Sequence, residues 1–215
     1  MNTKLLLSTA IAGLIVLSSC KKDKNDPVPQ PNPVPDYAVL KVGSYWVYDT
    51  YYSDSNGVET LTGQRDSVFV EKDTVINGKT YYKKVVVSMV NPSISYWREE
   101  GGKLVNHLGN FLPDKEGVLG SRTELMNNDT LFTATSTLLA NETPVTTPAG
   151  TFTVKTIEHV YKIYDKQQAG YSYRYKNTYS KYHPTLGDIE RTYFYMSPTS
   201  FQYNYIVRLT KYHIN

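Results

Sequence analysis

Short β-rich runs separated by turn signals dominate this chain, and they constrain its fold more than any other feature. Asn77-Gly78 lies between two such runs, and this dipeptide favours a two-residue hairpin turn because both central residues need positive φ. Glu100-Gly101-Gly102 separates two further runs in the same way. The pattern predicts ten strands, at residues 44–52, 67–76, 79–90, 94–99, 103–108, 130–138, 151–164, 171–182, 189–196 and 202–212.

Alternation within the runs predicts how the strands pack. Tyr205, Val207 and Leu209 lie on one face of the last strand, which suits an antiparallel sheet with one side in water. Twenty tyrosines among 215 residues agree with this, because tyrosine is enriched in strands. No stretch beyond the N-terminal apolar run has the pattern of an amphipathic helix. Residues 110–128 have the weakest signals and are predicted to form a long loop or a short helix.

These elements predict an all-β fold. Consecutive hairpins favour a meander, and long open sheets curl or split while protecting their edges. We therefore expect one antiparallel, strongly curved sheet or incomplete barrel of about ten strands. Phe152 and Val154 alternate in one phase whereas Ile157 and Ile163 follow the other, which predicts a β-bulge or bend near residues 155–156.

The N-terminus has the pattern of an export signal. Lys4 precedes an apolar run at residues 5–17, and small residues lead into Cys20, the only cysteine. The run is shorter than the roughly 20 apolar residues that span a bilayer. Residues 17–20 resemble the lipobox of bacterial lipoproteins, which implies a mature chain that begins at Cys20 and is held to a membrane by fatty chains. An ordinary cleaved signal is the alternative, although unpaired thiols are unusual in exported proteins.

A polar, proline-rich segment follows the cysteine. Proline occupies every second position from residue 27 to residue 35, which excludes helix and sheet and favours an extended polyproline conformation. At about 3.1 Å per residue, residues 21–36 reach up to roughly 50 Å. The predicted organisation is a lipoprotein signal peptide at 1–19, a lipidated cysteine with a proline-rich tether at 20–36, and a single β domain at 37–215.

The residues after Cys20 resemble the start of many lipoproteins of Gram-negative bacteria. Lys21, Lys22 and Lys24 mix there with Asp23 and Asp26. This resemblance implies the outer membrane of a bacterial envelope as the location. Whether the body faces the periplasm or the cell surface stays open.

Three segments resemble a broad class of uncharacterised bacterial lipoproteins. Residues 39–48, VLKVGSYWVY, are similar to the opening "PLxxGxxWvY" of that class, and residues 147–152, TPAGTF, to its "tPAGtF" element. Residues 182–189 are similar to its "yakGvGlv" segment, with Leu186 and His183-Pro184 departing from the pattern. The class is similar to lipoprotein-carrier (LolA-like) half-barrels, which implies a concave sheet that faces a hydrophobic ligand. The helices that plug the carrier half-barrel have no counterpart in this sequence.

No catalytic signature stands out. The sequence motifs of serine hydrolases, zinc proteases and phosphate-binding loops are missing. The histidines have no spacing that places two on one face of an element, so we predict no metal site, and mid-strand His159 is expected to be half-buried. With a net charge of +3 and no basic cluster, no nucleic-acid partner is expected, and no cofactor or enzymatic activity is predicted.

Two acidic pairs are candidates for catalytic carboxylates. Glu99 and Glu100 are adjacent on a strand and therefore point to opposite faces. Asp188 and Glu190 share a face, but they flank a turn and are expected to be solvated. A hydrolase whose site matches no known motif is therefore the least favoured of the functions considered for this chain.

An array of tyrosines is the candidate binding surface. Such an array stacks sugar rings or holds an apolar ligand, and the alternative is cross-strand packing that only stabilises the sheet. The favoured function is a membrane-anchored binding module for a hydrophobic or glycan ligand. A structural or accessory lipoprotein that binds an envelope protein is the alternative. The candidate ligand-binding residues are Tyr171, Tyr173, Tyr175, Tyr193, Tyr195, Tyr203 and Tyr205.

Overall fold

The computed structural model describes residues 36–89, 92–164, 174–195 and 204–215. The described residues belong to one compact unit. The predicted export signal, Cys20 and residues 21–35 of the predicted tether lie outside the described residues. Among the described residues there is no helix of the length and apolarity that crossing a bilayer requires.

The described residues form strands and a single 3-10 turn, Ala38–Leu40. This confirms the all-β fold, with twelve strands where about ten were expected. The strands are β1 (Tyr45–Ser53), β2 (Glu59–Ile76), β3 (Lys79–Val87), β4 (Ser93–Glu100), β5 (Lys103–Asn106), β6 (Gly117–Met126), β7 (Asp129–Leu138), β8 (Thr143–Thr147), β9 (Gly150–Ile163), β10 (Arg174–His183), β11 (Gly187–Tyr193) and β12 (Asn204–His213).

All the strands belong to one antiparallel sheet. Its order is β5-β4-β3-β2-β1-β12-β11-β10-β9-β7-β6, with β8 paired to β9 outside this path. The first and last strands of the chain pair at the centre, from Tyr45 opposite His213 to Ser53 opposite Asn204. Strands β5 and β6 are the two ends of the sheet, which therefore does not close into a barrel.

The predicted hairpin turns are present. Asn77 and Gly78 have φ of 50° and 75°, so the turn between β2 and β3 has positive φ at both central residues. Gly101 and Gly102 do the same between β4 and β5, with φ of 61° and 81°. Asn127-Asn128, with φ of 52° and 65°, forms a similar turn between β6 and β7, which the sequence pattern did not predict.

The sheet curves strongly, which gives it an inner and an outer face. Val86 of β3 and Arg191 of β11 line one cleft although three strands separate β3 from β11. In a flat sheet, four strand spacings of about 4.8 Å would hold these strands roughly 19 Å apart. We call the face with Arg191 and Val207 the inner face, and the opposite face, with Glu190 and Arg208, the outer face.

The main core lies around the central strands. Its buried side chains are Trp46 and Tyr48 of β1, Val68 and Val70 of β2, Ile189 of β11, and Val207 and Leu209 of β12, together with Ala38 and Val154. Fully burying one such apolar side chain contributes about 1.5–3 kcal/mol. Gly43, at φ 88°, lets the chain turn from the 3-10 segment into β1, and its amide donates to the carbonyl of Val70 at 2.9 Å.

Two strands lie where none was expected. Strand β6 occupies part of residues 110–128, so the prediction of a loop or short helix there is wrong for 117–126. The signal was weak because every side chain of β6 that the structure describes is exposed, which leaves no apolar alternation to detect. Strand β8 is only five residues long, contains Pro144 and pairs with β9 alone.

Strand β9 contains no bulge at residues 155–156. Its register with β10 runs unbroken from Lys155 to Ile163. On its other side, β9 pairs first with β8, whose first residue, Thr143, lies opposite Val154, and then with β7, whose last residue, Leu138, lies opposite Ile157. The change of apolar phase therefore reflects a change of neighbouring strand rather than the predicted bulge.

Candidate functional site

Four tyrosines lie together on the inner face, and we call Tyr52, Tyr193, Tyr195 and Tyr205 the tyrosine cluster. The rings of Tyr193 and Tyr205 stack, with centroids 5.3 Å apart and planes 17° apart. Tyr195 meets Tyr205 edge to face at 4.9 Å and Tyr193 at 5.6 Å. Tyr52 meets Tyr205 edge to face at 6.0 Å, so Tyr205 is the central ring.

Strand pairing assembles the tyrosine cluster. Tyr193 of β11 lies directly opposite Tyr205 of β12, which in turn lies directly opposite Tyr52 of β1. The sequence pattern placed Tyr193, Tyr195 and Tyr205 together correctly. Tyr52 was missed because it comes from the other end of the chain, and only the pairing of β1 with β12 brings it to the same place.

Two clefts adjoin the tyrosine cluster. The tyrosine cleft has a volume of about 450 Å³, and its lining residues are Tyr52, Thr60, Leu61, Thr62, Gln64, Tyr195 and Tyr205. The Arg191 cleft has a volume of about 490 Å³, and its lining residues are Thr50, Gln64, Arg65, Asp66, Val86, Ser88, Met89, Pro92, Ser93, Arg191, Tyr193 and Val207. Gln64 lines both clefts, so they are neighbours on one surface.

The Arg191 cleft contains side chains of both charges. A guanidinium nitrogen of Arg191 lies 3.7 Å from Oδ2 of Asp66, which is longer than a hydrogen bond. Arg65 instead directs its guanidinium to the carboxylate of Asp49, at 2.7 Å and 3.0 Å. Asp66 and Arg191 therefore face the cleft as an acceptor and a multiple donor that a bound molecule can engage.

The hydroxyl of Tyr193 stays protonated at physiological pH. Burial raises the pKa of Tyr193, and a hydrogen bond with Tyr195 and the neighbouring Asp66 add to the effect. A hydroxyl that stays protonated both donates and accepts hydrogen bonds. The cluster thus offers aromatic faces together with polar, uncharged groups.

The remaining candidate tyrosines do not belong to the tyrosine cluster. Tyr175 of β10 lies opposite Lys162, whereas Ser180 of β10 lies opposite Arg191 on the inner face. Because side chains alternate along a strand, Tyr175 points to the outer face, where it is 59% exposed. Tyr171, Tyr173 and Tyr203 lie outside the described residues.

His159 is a half-buried strand histidine, as the sequence predicted. Its Nδ1 lies 2.8 Å from Oγ of Ser136 and its Nε2 lies 3.1 Å from Oγ of Ser180. Burial, and then the charge of Arg122, lower the pKa of this imidazole. Both ring nitrogens are occupied by hydroxyls, and the described residues contain no group of three or more side chains that could hold a metal ion.

Glu190 corrects the expectation of solvated carboxylates beside the turn. It is 7% exposed, and its carboxylate accepts hydrogen bonds from Lys181 and Arg208, each at 2.7 Å. Burial raises the pKa of Glu190, but these two bonds outweigh that effect and the net pKa is lowered. An ionised carboxylate between two cations ties neighbouring strands together and is not a general acid.

The three lipoprotein-like segments form turns and core, not a binding site. In the first, Trp46 is buried in the main core. In the second, Oγ1 of Thr147 accepts from the amide of Ala149 at 3.1 Å in the turn between β8 and β9. In the third, Nδ1 of His183 accepts from the amides of Thr185 and Leu186, at 3.4 Å and 3.3 Å.

Comparisons with known proteins found two solved structures that resemble this one. No protein-family model and no curated protein sequence matches this chain. A "putative exported protein with YmcC-like fold" from Bacteroides fragilis is 11% identical, with a TM-score of 0.49, over 83% of this chain and 99% of that chain. A "putative lipoprotein" from Parabacteroides distasonis is 12% identical, with a TM-score of 0.48, over 85% of this chain and 100% of that chain. Identities and TM-scores this low transfer no function.

Proposed function

We propose that this protein is a lipid-anchored lipoprotein of the bacterial outer membrane that binds a glycan, without catalysis, on the inner face of its sheet. The observation that favours this role is the tyrosine cluster beside two clefts that contain Gln64, Asp66 and Arg191. Aromatic rings provide flat apolar surface for the faces of sugar rings. Amide, carboxylate and guanidinium groups at the same place match the donors and acceptors of sugar hydroxyls.

The polarity of the clefts favours a glycan over a hydrophobic ligand. An acyl chain in the Arg191 cleft would cover Asp66 and Arg191 without offering either a hydrogen-bond partner, which costs several kcal/mol. The tyrosine cleft is lined by two threonines and Gln64 as well as by aromatic rings. Tyr195, which is 40% exposed, remains in contact with water at its rim. Walls that combine polar groups with aromatic and apolar side chains suit a ligand that carries its own hydroxyl groups.

The lipid anchor rests on the sequence. Cys20 is the single cysteine and follows a short apolar run that ends in small residues. Acyl chains on that residue would hold the protein to the membrane, because each buried CH₂ contributes about 0.8 kcal/mol and two or more chains give stable anchoring. The proline-rich residues 27–35 would then separate the β domain from the lipid surface.

The binding proposal is tested with a pair of tyrosine variants. The full-length protein in detergent is screened on an array of neutral and acidic oligosaccharides, and the affinity of the best ligand is measured by calorimetry. We expect Tyr195→Ala to weaken binding at least about fivefold, since an aromatic contact contributes on the order of 1 kcal/mol. Tyr175→Ala, which removes an exposed tyrosine from the outer face, should change the affinity less than twofold.

Two results would contradict the glycan proposal. One is an array on which the folded protein binds no oligosaccharide. The other is an equal loss of affinity in Tyr175→Ala and Tyr195→Ala. Native mass spectrometry of protein extracted from the envelope provides a further check, since a stoichiometric co-purifying lipophile would favour the hydrophobic ligand instead.

A further inference from the structure

Strand β6 ends the sheet, and within the described residues no strand pairs with its outward side; we propose that it pairs with β6 of a second copy of this chain in an antiparallel, two-fold arrangement. Strand β6 is ten residues long and ends the sheet, so within the described chain only its β7 side is paired. The outward N–H and C=O groups of such an edge are a template for another strand. This inference does not depend on the proposed glycan binding.

Among the residues that the structure describes, the opposite edge strand of the sheet, β5, is covered by the segment that follows it, unlike β6. Strand β5 is only four residues long, and the segment that follows it folds back over its outer side. The amide of Leu112 donates to the carbonyl of Leu104 at 3.0 Å. Val105 also forms a bridge with Phe111. No described segment makes comparable bonds to the outer side of β6.

The charges on β6 select one register for the pairing. Arg122 lies opposite Ala134 of β7 and Glu124 lies opposite Phe132, so both charged side chains point to the same face of the sheet. A two-fold axis through Thr123 places Arg122 of each copy opposite Glu124 of the other. Two ion pairs then form across the new strand pair, and opposite charges directly across a sheet are favourable.

The other face of β6 is compatible with the same register. Ser121 and Thr123 point there, and Ser121 already shares a hydrogen bond of 3.0 Å with Thr135 of β7. The two-fold axis places Thr123 against its own equivalent and Ser121 against Leu125, which is 60% exposed in the single chain. Cross-strand threonine pairs are favourable, and the pairing covers an exposed leucine.

The register is tested by cysteine cross-linking of the full-length protein in cells. Thr123→Cys puts two thiols at the two-fold axis, where the Cα atoms of a strand pair lie within the 4.4–6.8 Å range that a disulfide accepts. We expect a disulfide-linked species of twice the chain mass on a non-reducing gel. Ser121→Cys is the matched control, because the predicted register offsets its two copies by four residues, or about 13 Å along the strand.

The charge pairing is tested in the Thr123→Cys background. Arg122→Glu alone places like charges opposite each other in both pairs, and we expect at least a fivefold drop in cross-linked dimer. Adding Glu124→Arg exchanges the charges and should restore the yield. Equal cross-linking of Thr123→Cys and Ser121→Cys, or no recovery in the exchanged variant, would overturn the proposal.

Two further outcomes of the experiment are decisive. A cross-linked species whose mass is not twice that of the chain would identify a different partner at this edge and would reject a second copy. Sedimentation of the unmodified protein in detergent provides an independent measurement that needs no substitution. We expect a dimer, and a monomer at micromolar concentration together with the absence of a cross-link would reject the pairing.

Discussion

Glu190 of β11 connects its two neighbouring strands through charged hydrogen bonds. Its carboxylate bonds Lys181 of β10 on one side and Arg208 of β12 on the other. Arg208 continues the connection to Glu59 of β2, at 2.8 Å and 3.2 Å. These bonds lie on the outer face, opposite the main core, so they hold the central strands together from the other side of the sheet.

Replacing Glu190 should destabilise the protein. In Glu190→Gln the buried hydrogen bonds to Lys181 and Arg208 lose their charge, and we expect the free energy of unfolding at pH 7 to fall by about 2 kcal/mol. Urea unfolding followed by circular dichroism measures this change. The control is Glu71→Gln, which breaks a more exposed ion pair with Lys83 and should destabilise the protein much less than Glu190→Gln.

The contribution of Glu190 should also depend on pH in a defined direction. Because the folded protein lowers the pKa of Glu190, the stabilisation is fully present above its ordinary value of 4.5 and is lost as the pH falls through the lower folded value. The difference in unfolding free energy between wild type and Glu190→Gln should therefore shrink below pH 4.5. A difference that grows toward acid pH would contradict this assignment.

Residue patterns revealed the centre of the candidate site but not its whole. Tyr193 and Tyr205 were predictable because they follow period-two alternation on strands joined by a short connection. Asp66 and Arg191 were not, because they come from β2 and β11, and no local pattern indicates that the curved sheet brings these strands to one cleft. Tyr175 follows the same alternation but faces outward, since the register with β9, rather than spacing, decides the face.

At the scale of elements, the turn at Asn127-Asn128 defines the open edge strand. Asn128 has φ of 65°, a conformation that glycine and asparagine adopt but a β-branched residue does not. We expect Asn128→Val to lower the free energy of unfolding by about 1–2 kcal/mol and Asn128→Gly to leave it unchanged or raise it. Thermal unfolding of the two variants measures the difference.

A surface asparagine in another turn serves as the control. Asn56 is exposed in the turn between β1 and β2 and is not among the residues with positive φ. Asn56→Val should therefore change the free energy of unfolding by less than about 0.5 kcal/mol. Equal effects at Asn56 and Asn128 would show that the turn between β6 and β7 does not have the conformation described above.

Elements with a buried face were predictable, and elements without one were not. Strands β1, β3, β9 and β12 appear close to their predicted bounds because each buries part of its surface. Strand β2 begins at Glu59, eight residues before its predicted start at Ser67, and its first five side chains are exposed. The exposed edge strand β6 was missed for the same reason, since hydrophobic periodicity reports burial rather than hydrogen bonding.

At the scale of the whole molecule, the pairing of β1 with β12 explains why the site depends on both ends of the chain. The two strands pair over the length of β1, and their tyrosines Tyr52 and Tyr205 meet on the inner face. Closing the long loop between such distant parts of the sequence costs entropy. The proposed binding surface therefore depends on the complete sheet and not on one hairpin.

The proposed attachment to the membrane concerns the whole molecule, and it is tested at Cys20. We expect Cys20→Ala to move the protein from the membrane fraction to the soluble fraction, because the variant has no thiol to acylate. Fractionation followed by immunoblotting measures the distribution. The control is the variant Lys21→Ala, in which Cys20 is intact. Tight membrane association of Cys20→Ala would contradict lipid anchoring.

The most direct test of the account is a map of the ligand contact on the tyrosine rings themselves. The protein is labelled with ¹³C at its tyrosine side chains, and its ring resonances are followed as the oligosaccharide selected by the array is added. If the glycan binds at the tyrosine cluster, we expect the ring resonances of Tyr52, Tyr195 and Tyr205 to shift and that of Tyr175, on the outer face, to stay unchanged. Shifts at Tyr175 with an unperturbed tyrosine cluster would contradict it.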